Sequence, residues 1–320
     1  MKNILIIHTG GTISMKEDQQ SKTVSLSKKN PLEPRNSFLP EEANITTLLP
    51  FNLPSAHMSP ANMLQLQMLI NEHIASHPVD GIVITHGTDT LEETAYFLEL
   101  TYAHSIPLVV TGAMRSSNEI SADGLHNYLS AIRVAMADEA KNKGVMVVLN
   151  DEIHLAKFVT KTHTSNVATF KSVDTGPIGI VTKDQIIFFF EAKKRQIYAV
   201  SMIDKRVALI KAFAGMEADL LEILPSLHYD GVVIEGLGQG NVSPGTLEGI
   251  KALRYKDFPV LLTSRCLNGI PAPNYDYHGG GKGLEQLGVI FADGVNGQKA
   301  RLHLLVALCT GTSLQELFLK

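Results

Sequence analysis

Residues 80–93 read Asp-Gly-Ile-Val-Ile-Thr-His-Gly-Thr-Asp-Thr-Leu-Glu-Glu. Ile82, Val83, Ile84 and Thr85 form a β-branched run with the length of a buried strand. A glycine and a cluster of short polar side chains follow, then an amphipathic run from Leu91 to Tyr102. Thr90 and Glu93 have capping-box spacing, so a helix is expected to begin just after Asp89. Thr88 and Asp89 then stand at the carboxyl end of a strand, beside the positive end of a helix, where open α/β sheets bind small molecules. A loop that had only to turn the chain has no need of two threonines, a histidine and an aspartate around one glycine. The stretch is read as functional.

Upstream, residues 3–7 are a second short apolar strand, running straight into Thr9-Gly10-Gly11-Thr12-Ile13. Two glycines permit a sharp turn and close backbone approach, which presents Thr12 at the strand's end. No Gly-Lys-Ser/Thr follows and no Gly-x-Gly-x-x-Gly spacing occurs, so phosphate binding is not expected here. Residues 14–56 are polar, with Pro31, Pro34, Pro40, Pro50 and Pro54, and read as a long mobile loop of the kind used as a lid. Ser59-Pro60 signals a helix start, with Leu66, Leu69, Ile70 and Ile74 on one face.

Downstream, residues 106–110 are a buried strand ending in Thr111-Gly112-Ala113-Met114-Arg115. A helix with Leu125, Tyr128, Leu129, Ile132 and Met136 on one side precedes a further strand at 145–149. The alternation of strand and helix indicates a largely parallel sheet with helices on its faces. Residues 154–171 show no clean period and read as a loop supplying polar groups; residues 186–190 read as an edge strand leading into a solvated linker, Glu-Ala-Lys-Lys-Arg. The expected division is an N-terminal α/β domain at 1–190, a linker at 191–205 and a smaller C-terminal α/β domain at 206–320. Asp80-Gly-Ile-Val-Ile is echoed by Asp230-Gly-Val-Val-Ile, and Ile106-Pro-Leu-Val-Val-Thr by Phe258-Pro-Val-Leu-Leu-Thr. Two similar halves explain the echo; so does a shared strand-forming vocabulary. The second copy has Gly-Leu-Gly-Gln-Gly-Asn where the first has Gly-Thr-Asp-Thr, so only the first carries threonine–aspartate chemistry.

At 320 residues, the chain is long enough for about two domains and a substantial core. A net charge of −4 without a basic stripe argues against nucleic acid as a partner. No apolar stretch approaches membrane-spanning length, and the apolar run at 4–7 is too short for a signal-peptide core. Cys266 and Cys309 are far apart and form no Cys-x-x-Cys pattern, which reads as two buried thiols in a reduced compartment. A cytoplasmic protein is expected.

Two presented threonines, an aspartate and a lysine can form a hydrolase site without metal. A threonine hydroxyl is a weak nucleophile that needs a base, and a partly buried lysine can be that base. Backbone amides in the Gly-rich turns can stabilise a developing oxyanion. This supports acyl transfer on a small polar substrate. Among the 12 histidines, His86 with Asp89, or His154 with His163, are the pairs weighed as metal ligands. No pair is read as having His-x-x-x-His helical spacing, and no carboxylate falls at a matching interval, so no metal and no cofactor is expected.

Thr9-Gly-Gly-Thr12-Ile, together with Thr85-His-Gly-Thr-Asp-Thr90 after a buried strand, resembles the bacterial-type L-asparaginases over essentially the whole chain. The resemblance implies a larger and a smaller α/β domain, assembled as homodimers or as homotetramers made of dimers, with L-asparagine as the small-molecule partner. Active sites of that family lie between the N-terminal domain of one protomer and the C-terminal domain of its neighbour. Thr12 matches the nucleophile that attacks the side-chain amide and releases ammonia through a β-aspartyl-enzyme. Thr88 matches the second threonine, and Lys161 matches its lysine partner. Asp89 matches the receiver of the substrate's α-ammonium, and Ser55 the serine that holds its α-carboxylate. Ala113 matches a position whose backbone faces the leaving amide. The chain departs from the family in one place: no tyrosine occurs before Tyr96, so the lid tyrosine of many relatives is missing. Thr23 and Ser25 occupy that region without a phenol. Tyr277, in Asn274-Tyr-Asp-Tyr-His-Gly-Gly280, resembles a tyrosine that some relatives bring from the neighbouring protomer; Asp276 is a weaker match to a neighbour's acidic residue. The alternatives are the ammonia-releasing subunit of a tRNA-dependent amidotransferase, and an amino-acid sensor without turnover.

Overall fold

The β-branched runs form strands buried on both faces, as parallel strands covered by helices must be. The computed structural model describes residues 1–17, 21, 23–26, 40–192 and 195–318. They fall into two units, Met1–Ile197 and Tyr198–Lys320. The first opens with β1 (Lys2–His8), followed by a hairpin of β2 (Met15–Glu17) and β3 (Val24–Leu26), then β4 (Ala43–Leu48). Helix α1 (Pro60–Ser76) leads to β5 (Gly81–Thr85), α2 (Leu91–Thr101) to β6 (Leu108–Thr111), and α3 (Gly124–Met136) to β7 (Val145–Leu149). After β8 (Glu152–Leu155) comes a small hairpin of β9 (Thr160–Lys161) and β10 (Phe170–Lys171), then β11 (Gly179–Val181) and β12 (Ile186–Phe188).

One eight-stranded sheet runs β12-β11-β8-β7-β6-β5-β1-β4. The strands from β4 to β7 are parallel, and β8, β11 and β12 extend the sheet antiparallel. Alternation along β1 sends Ile4 and Ile6 to one face, with Tyr128 and Ile132 of α3, and Leu5 and Ile7 to the other, with Leu66 and Ile70 of α1 and Leu98 of α2. Because β1 has β4 on one side and β5 on the other, the chain reverses its winding there. The carboxyl ends of β1 and β5 therefore open onto a topological switch point.

Several expectations need correction. Residues 14–56 are not one loop: β4 pairs in parallel with β1 from Lys2↔Ala43 to Ile7↔Leu48, and β2–β3 form a hairpin. Of the expected lid, residues 18–20, 22 and 27–39 lie outside the described residues. Residues 154–171 begin in β8 and contain the β9–β10 hairpin, so Lys161 stands on a strand. Helix α2 starts where expected, with Thr90 at its N-cap, but Thr90 does not cap it: its hydroxyl donates to Ser55 O at 2.7 Å. The same helix is buried nearly all round, Glu92, Thr94 and Thr101 included, rather than amphipathic. Among the cysteines, Cys266 is exposed and only Cys309 is part-buried.

The second unit has a parallel sheet in the order β13 (Val207–Lys211), β14 (Gly231–Gly236), β15 (Val260–Ser264), β16 (Ile290–Phe291). Its helices are α4 (Asp219–Glu222), α5 (Pro244–Arg254), α6 (Gly281–Gln286) and α7 (Gly297–Thr310). The sequence echo is a structural one. Asp80 exchanges two bonds with Asn3 (2.8 and 2.7 Å), and Asp230 exchanges the same two with Arg206 (2.7 and 2.8 Å). Ile82 N–H donates to Pro107 O at 2.9 Å, and Val232 N–H to Pro259 O at 3.0 Å. Thr111 Oγ1 donates to Val148 O, and Thr263 Oγ1 to Val295 O. Among the described residues, no helix is long and apolar enough to cross a membrane.

The linker is not solvated throughout. Arg195 returns to α2, donating to Glu99 Oε2 at 3.2 Å and to Tyr102 O at 3.1 Å, while Val145 N–H donates to Glu99 Oε2 at 2.7 Å. Burial nevertheless pushes the Glu99 carboxyl up to about 7, against the opposing pull of Arg195 and the Val145 N–H. A folded-state pKa raised from 4.5 favours the protonated folded chain, so this contribution is fully present below pH 4.5 and is lost as pH rises through about 7. Thermal unfolding from pH 4.5 to 8 is expected to show that loss in the wild type, about 3 kcal/mol at most. Glu99→Gln, which cannot titrate, should flatten it. An unchanged pH slope in the variant would refute the assignment.

Candidate active site

At the end of β1 the chain turns through Gly10 and Gly11, at φ 105° and 82°, conformations that a side chain rarely adopts. The turn is tied on both sides. Thr9 donates to Thr85 O from its N–H (3.1 Å) and its hydroxyl (3.0 Å), Leu53 N–H donates to Thr9 O, and Gly11 N–H to Leu53 O. Space, as well as φ, demands glycine: a Cβ on Gly11 would lie 2.1 Å from Gly87 Cα, and one on Gly87 2.7 Å from Ser55 Oγ. The two turns that follow β1 and β5 thus meet backbone to backbone. Thr12 and Thr88 are each the next residue beyond that contact.

Thr88 is buried and Asp89 is 65% exposed at its side chain. Lys161, from β9, bridges them: its Nζ donates to Thr88 Oγ1 at 3.0 Å and to Asp89 Oδ1 at 2.8 Å. Because Thr88 Oγ1 accepts from the ammonium, its own hydroxyl hydrogen is left to point elsewhere. Asp89, Lys161, Thr162, His163 and Thr164 line a cleft of about 370 Å³. Beneath it, Glu92 Oε1 accepts from Thr160 Oγ1 (3.0 Å) and Lys161 N–H (3.3 Å).

Ser55 is buried against the Thr88–Thr90 turn, its Oγ accepting from Asp89 N–H at 3.2 Å. Ala113 is fully buried at the end of β6, in a turn held from below by Asp123. Asp123 is the N-cap residue of α3 by position, yet its carboxylate accepts from Met114 N–H and Arg115 N–H at 3.0 Å each. Asn127 Nδ2 donates to Gly112 O at 3.0 Å on the other side of Ala113. The same loop is tied to β2, where Met15 O accepts from Ser117 Oγ. Glu92, Asp123 and Asn127 are the supporting groups that sequence reading missed. A carboxylate in a helix's first turn reads as a partner of the helix dipole, and only the tertiary fold shows it holding a neighbouring strand or loop.

His86 is structural. Its Nδ1 donates to Gly87 O at 2.8 Å, so its Nε2 accepts from Thr94 Oγ1 at 2.9 Å. Burial lowers it to about 4, despite the bond to Gly87, and lowers His8 to about 4 as well, so both are neutral at pH 7. His154 bonds Ser172 Oγ, and His163 accepts from the N–H groups of Ser165 and Asn166. His73 and His77, one helical turn apart at the end of α1, do have ligand spacing; their rings stack at 4.4 Å. Among the described residues, no three His, Cys, Asp or Glu side chains gather as a metal ion would need.

Thr12, Thr88, Asp89, Lys161, Ser55 and Ala113 all belong to the first unit. Tyr277 belongs to the second, 54% exposed, with its ring 5.8 Å from that of Tyr275; Asp276 beside it is exposed too. Thr23 is exposed, and the side chain of Ser25 lies outside the described residues.

Residues 3–194 match the family described as asparaginase, N-terminal, and residues 206–318 the glutaminase/asparaginase C-terminal domain. A probable L-asparaginase of Deinococcus radiodurans is 38% identical, over 99% of this chain and 96% of its own length. L-asparaginase 2 of Bacillus subtilis is also 38% identical, over 96% of this chain and 83% of its own. The crystal structure of a probable cytoplasmic L-asparaginase from Campylobacter jejuni superposes with a TM-score of 0.84 at 33% identity, covering 96% of this chain and 95% of that one.

The Gly11–Gly87 contact generates a stability prediction. Gly11→Ala places a methyl group inside backbone and is expected to cost more than about 3 kcal/mol, or to abolish folding. Gly283→Ala, in open space on α6, should be neutral or stabilising by up to about 1 kcal/mol. Urea unfolding of both variants checks the pair; a wild-type midpoint for Gly11→Ala would show that the contact is dispensable.

Proposed function

The chain belongs to the asparaginase family, and from that premise we propose how it hydrolyses the side-chain amide of L-asparagine to L-aspartate and ammonia. The observation that supports the mechanism is Lys161 bridging Thr88 and Asp89, with Thr12 and Thr88 each following a glycine of the Gly11–Gly87 backbone contact. Thr12 Oγ attacks the side-chain carbonyl carbon, and its proton is relayed through the hydroxyl of Thr88, which Lys161 orients, to the departing amide nitrogen. The tetrahedral intermediate collapses with cleavage of the C–N bond; ammonia leaves with a proton, and a β-aspartyl ester on Thr12 remains. Water then attacks the ester, aspartate departs and Thr12 regains its proton.

Asp89 receives the substrate's α-ammonium and Ser55 its α-carboxylate, while the backbone at Ala113 faces the leaving amide. Asp89 suits its role, being largely exposed and already paired to an ammonium, that of Lys161. The loop holding Ala113 suits its own, since Asp123 and Asn127 fix it from both sides. Such prior fixing is what makes oxyanion and leaving-group contacts effective. A sensor without turnover needs only Ser55 and Asp89; the lysine on Thr88 would be superfluous to it. We further propose a homodimer or a dimer of dimers in which Tyr277 of a neighbouring copy approaches Thr12, in place of the lid tyrosine. A cytoplasmic location follows the description of the Campylobacter jejuni relative.

Ammonia release from L-asparagine tests the mechanism. Thr12→Ala and Thr88→Ala are each expected to abolish turnover. Asp89→Asn should raise KM by about 10- to 150-fold, the equivalent of roughly 1.5–3 kcal/mol for a hydrogen bond to a charged group. Tyr277→Phe should lower kcat by about 10²-fold. Normal turnover by Thr12→Ala would overturn the nucleophile assignment.

A further inference from the structure

We propose that Glu92 is a positioning residue for amide hydrolysis, holding the backbone of Lys161 so that its ammonium lies on Thr88. This rests on the proposed role of Lys161. The two groups that Lys161 must meet, Thr88 and Asp89, lead directly into α2, whereas Lys161 itself lies on the two-residue strand β9. The β9–β10 hairpin is well tied within itself: Thr162 N–H and Oγ1 both donate to Thr169 O, His163 N–H donates to Thr169 Oγ1, and Thr169 Oγ1 donates to His163 O. Those bonds fix the hairpin's shape but not its place against α2.

Glu92 supplies that placement. It stands in the first turn of α2, is 4% exposed, and one of its carboxylate oxygens accepts from both Thr160 Oγ1 and Lys161 N–H. The bond therefore spans from the helix that begins just after Asp89 to the peptide nitrogen of Lys161 itself. A lysine's four-carbon stem does not hold a geometry unaided, so its backbone must be anchored close to the reacting groups. Misplacement of a positioned group by about 1 Å can cost about 10²-fold in rate.

Steady-state kinetics on asparagine, with folding checked by thermal unfolding, separates this role from a merely structural one. Glu92→Met keeps the shape and removes the acceptor; kcat should fall by about 10²-fold while KM changes less than about threefold, because exposed Asp89 keeps its charge. Glu92→Gln retains an acceptor oxygen and should restore kcat to within about threefold of wild type. Thr160→Val removes one of the two bonds and should lower kcat by about 5- to 10-fold. Wild-type kcat in folded Glu92→Met, or a Gln variant as poor as the Met variant, overturns the proposal. Should Glu92→Met fail to fold, wild-type kcat in Thr160→Val overturns it. Lys161→Met is the control: its wild-type turnover would sink the role of Lys161, whereas loss of turnover there with full activity in Glu92→Met sinks only the role of Glu92.

Discussion

Gly11 and Gly87 approach so closely that one methyl carbon on Gly11 would overlap the backbone of Gly87. Each ends a turn at the carboxyl edge of a parallel strand, and each is followed by a threonine. The contact is possible because β1 and β5 are adjacent and in register, His8 opposite Thr85, so their following turns leave the sheet at the same height. That register is held at the other end of the two strands, where Asp80 exchanges two hydrogen bonds with Asn3. The pairing of two buried strands thus decides where the two glycine turns meet.

Two helices at this edge complete the arrangement with the side chains at their N-cap positions. Helices α1, α5 and α7 are capped by their own Ser59, Ser243 and Asn296. Helices α2 and α3 are not: Thr90 turns its hydroxyl to Ser55 O, and Asp123 turns its carboxylate to the loop of Ala113. A cap of this kind is commonly worth about 1 kcal/mol of helix stability. Here the same side chains fix the two segments that carry Ser55 and Ala113, so local helix stability is exchanged for geometry at the site.

The strand–turn–helix at 80–93 and the Gly-Gly turn after the first strand are legible because strong periodicity and φ-demanding glycines lie within a few residues of one another. What escaped was of three kinds. Strand β4 carries Asn44, Thr46 and Thr47 on a sheet edge, flanked by Pro40 and Pro50, and nothing in that composition separates an edge strand from a loop. The β9–β10 hairpin has strands of two residues, too short for any period to register. The bonds of Arg195 to Glu99 and of Glu92 to Thr160 join residues 96 and 68 positions apart, and each residue type reads locally as solvated charge. Lys161 was found through the resemblance of its motif, since its neighbours gave no sign that it would reach Thr88.

The two units repeat a bonding scheme along their strands and differ in the loops that follow them. Asp80 and Asp230 clasp the preceding strand at the amino end, Pro107 and Pro259 carbonyls set the register, and the carboxyl ends diverge into Gly-Thr-Asp-Thr in one case and Gly-Leu-Gly-Gln-Gly-Asn in the other. Folding information and chemical information are therefore written in different segments, the strands and the loops that follow them. A scaffold divided in this way can accumulate change at its reactive edge without unravelling, and it offers the second unit's loop as ground on which a different chemistry could be grafted.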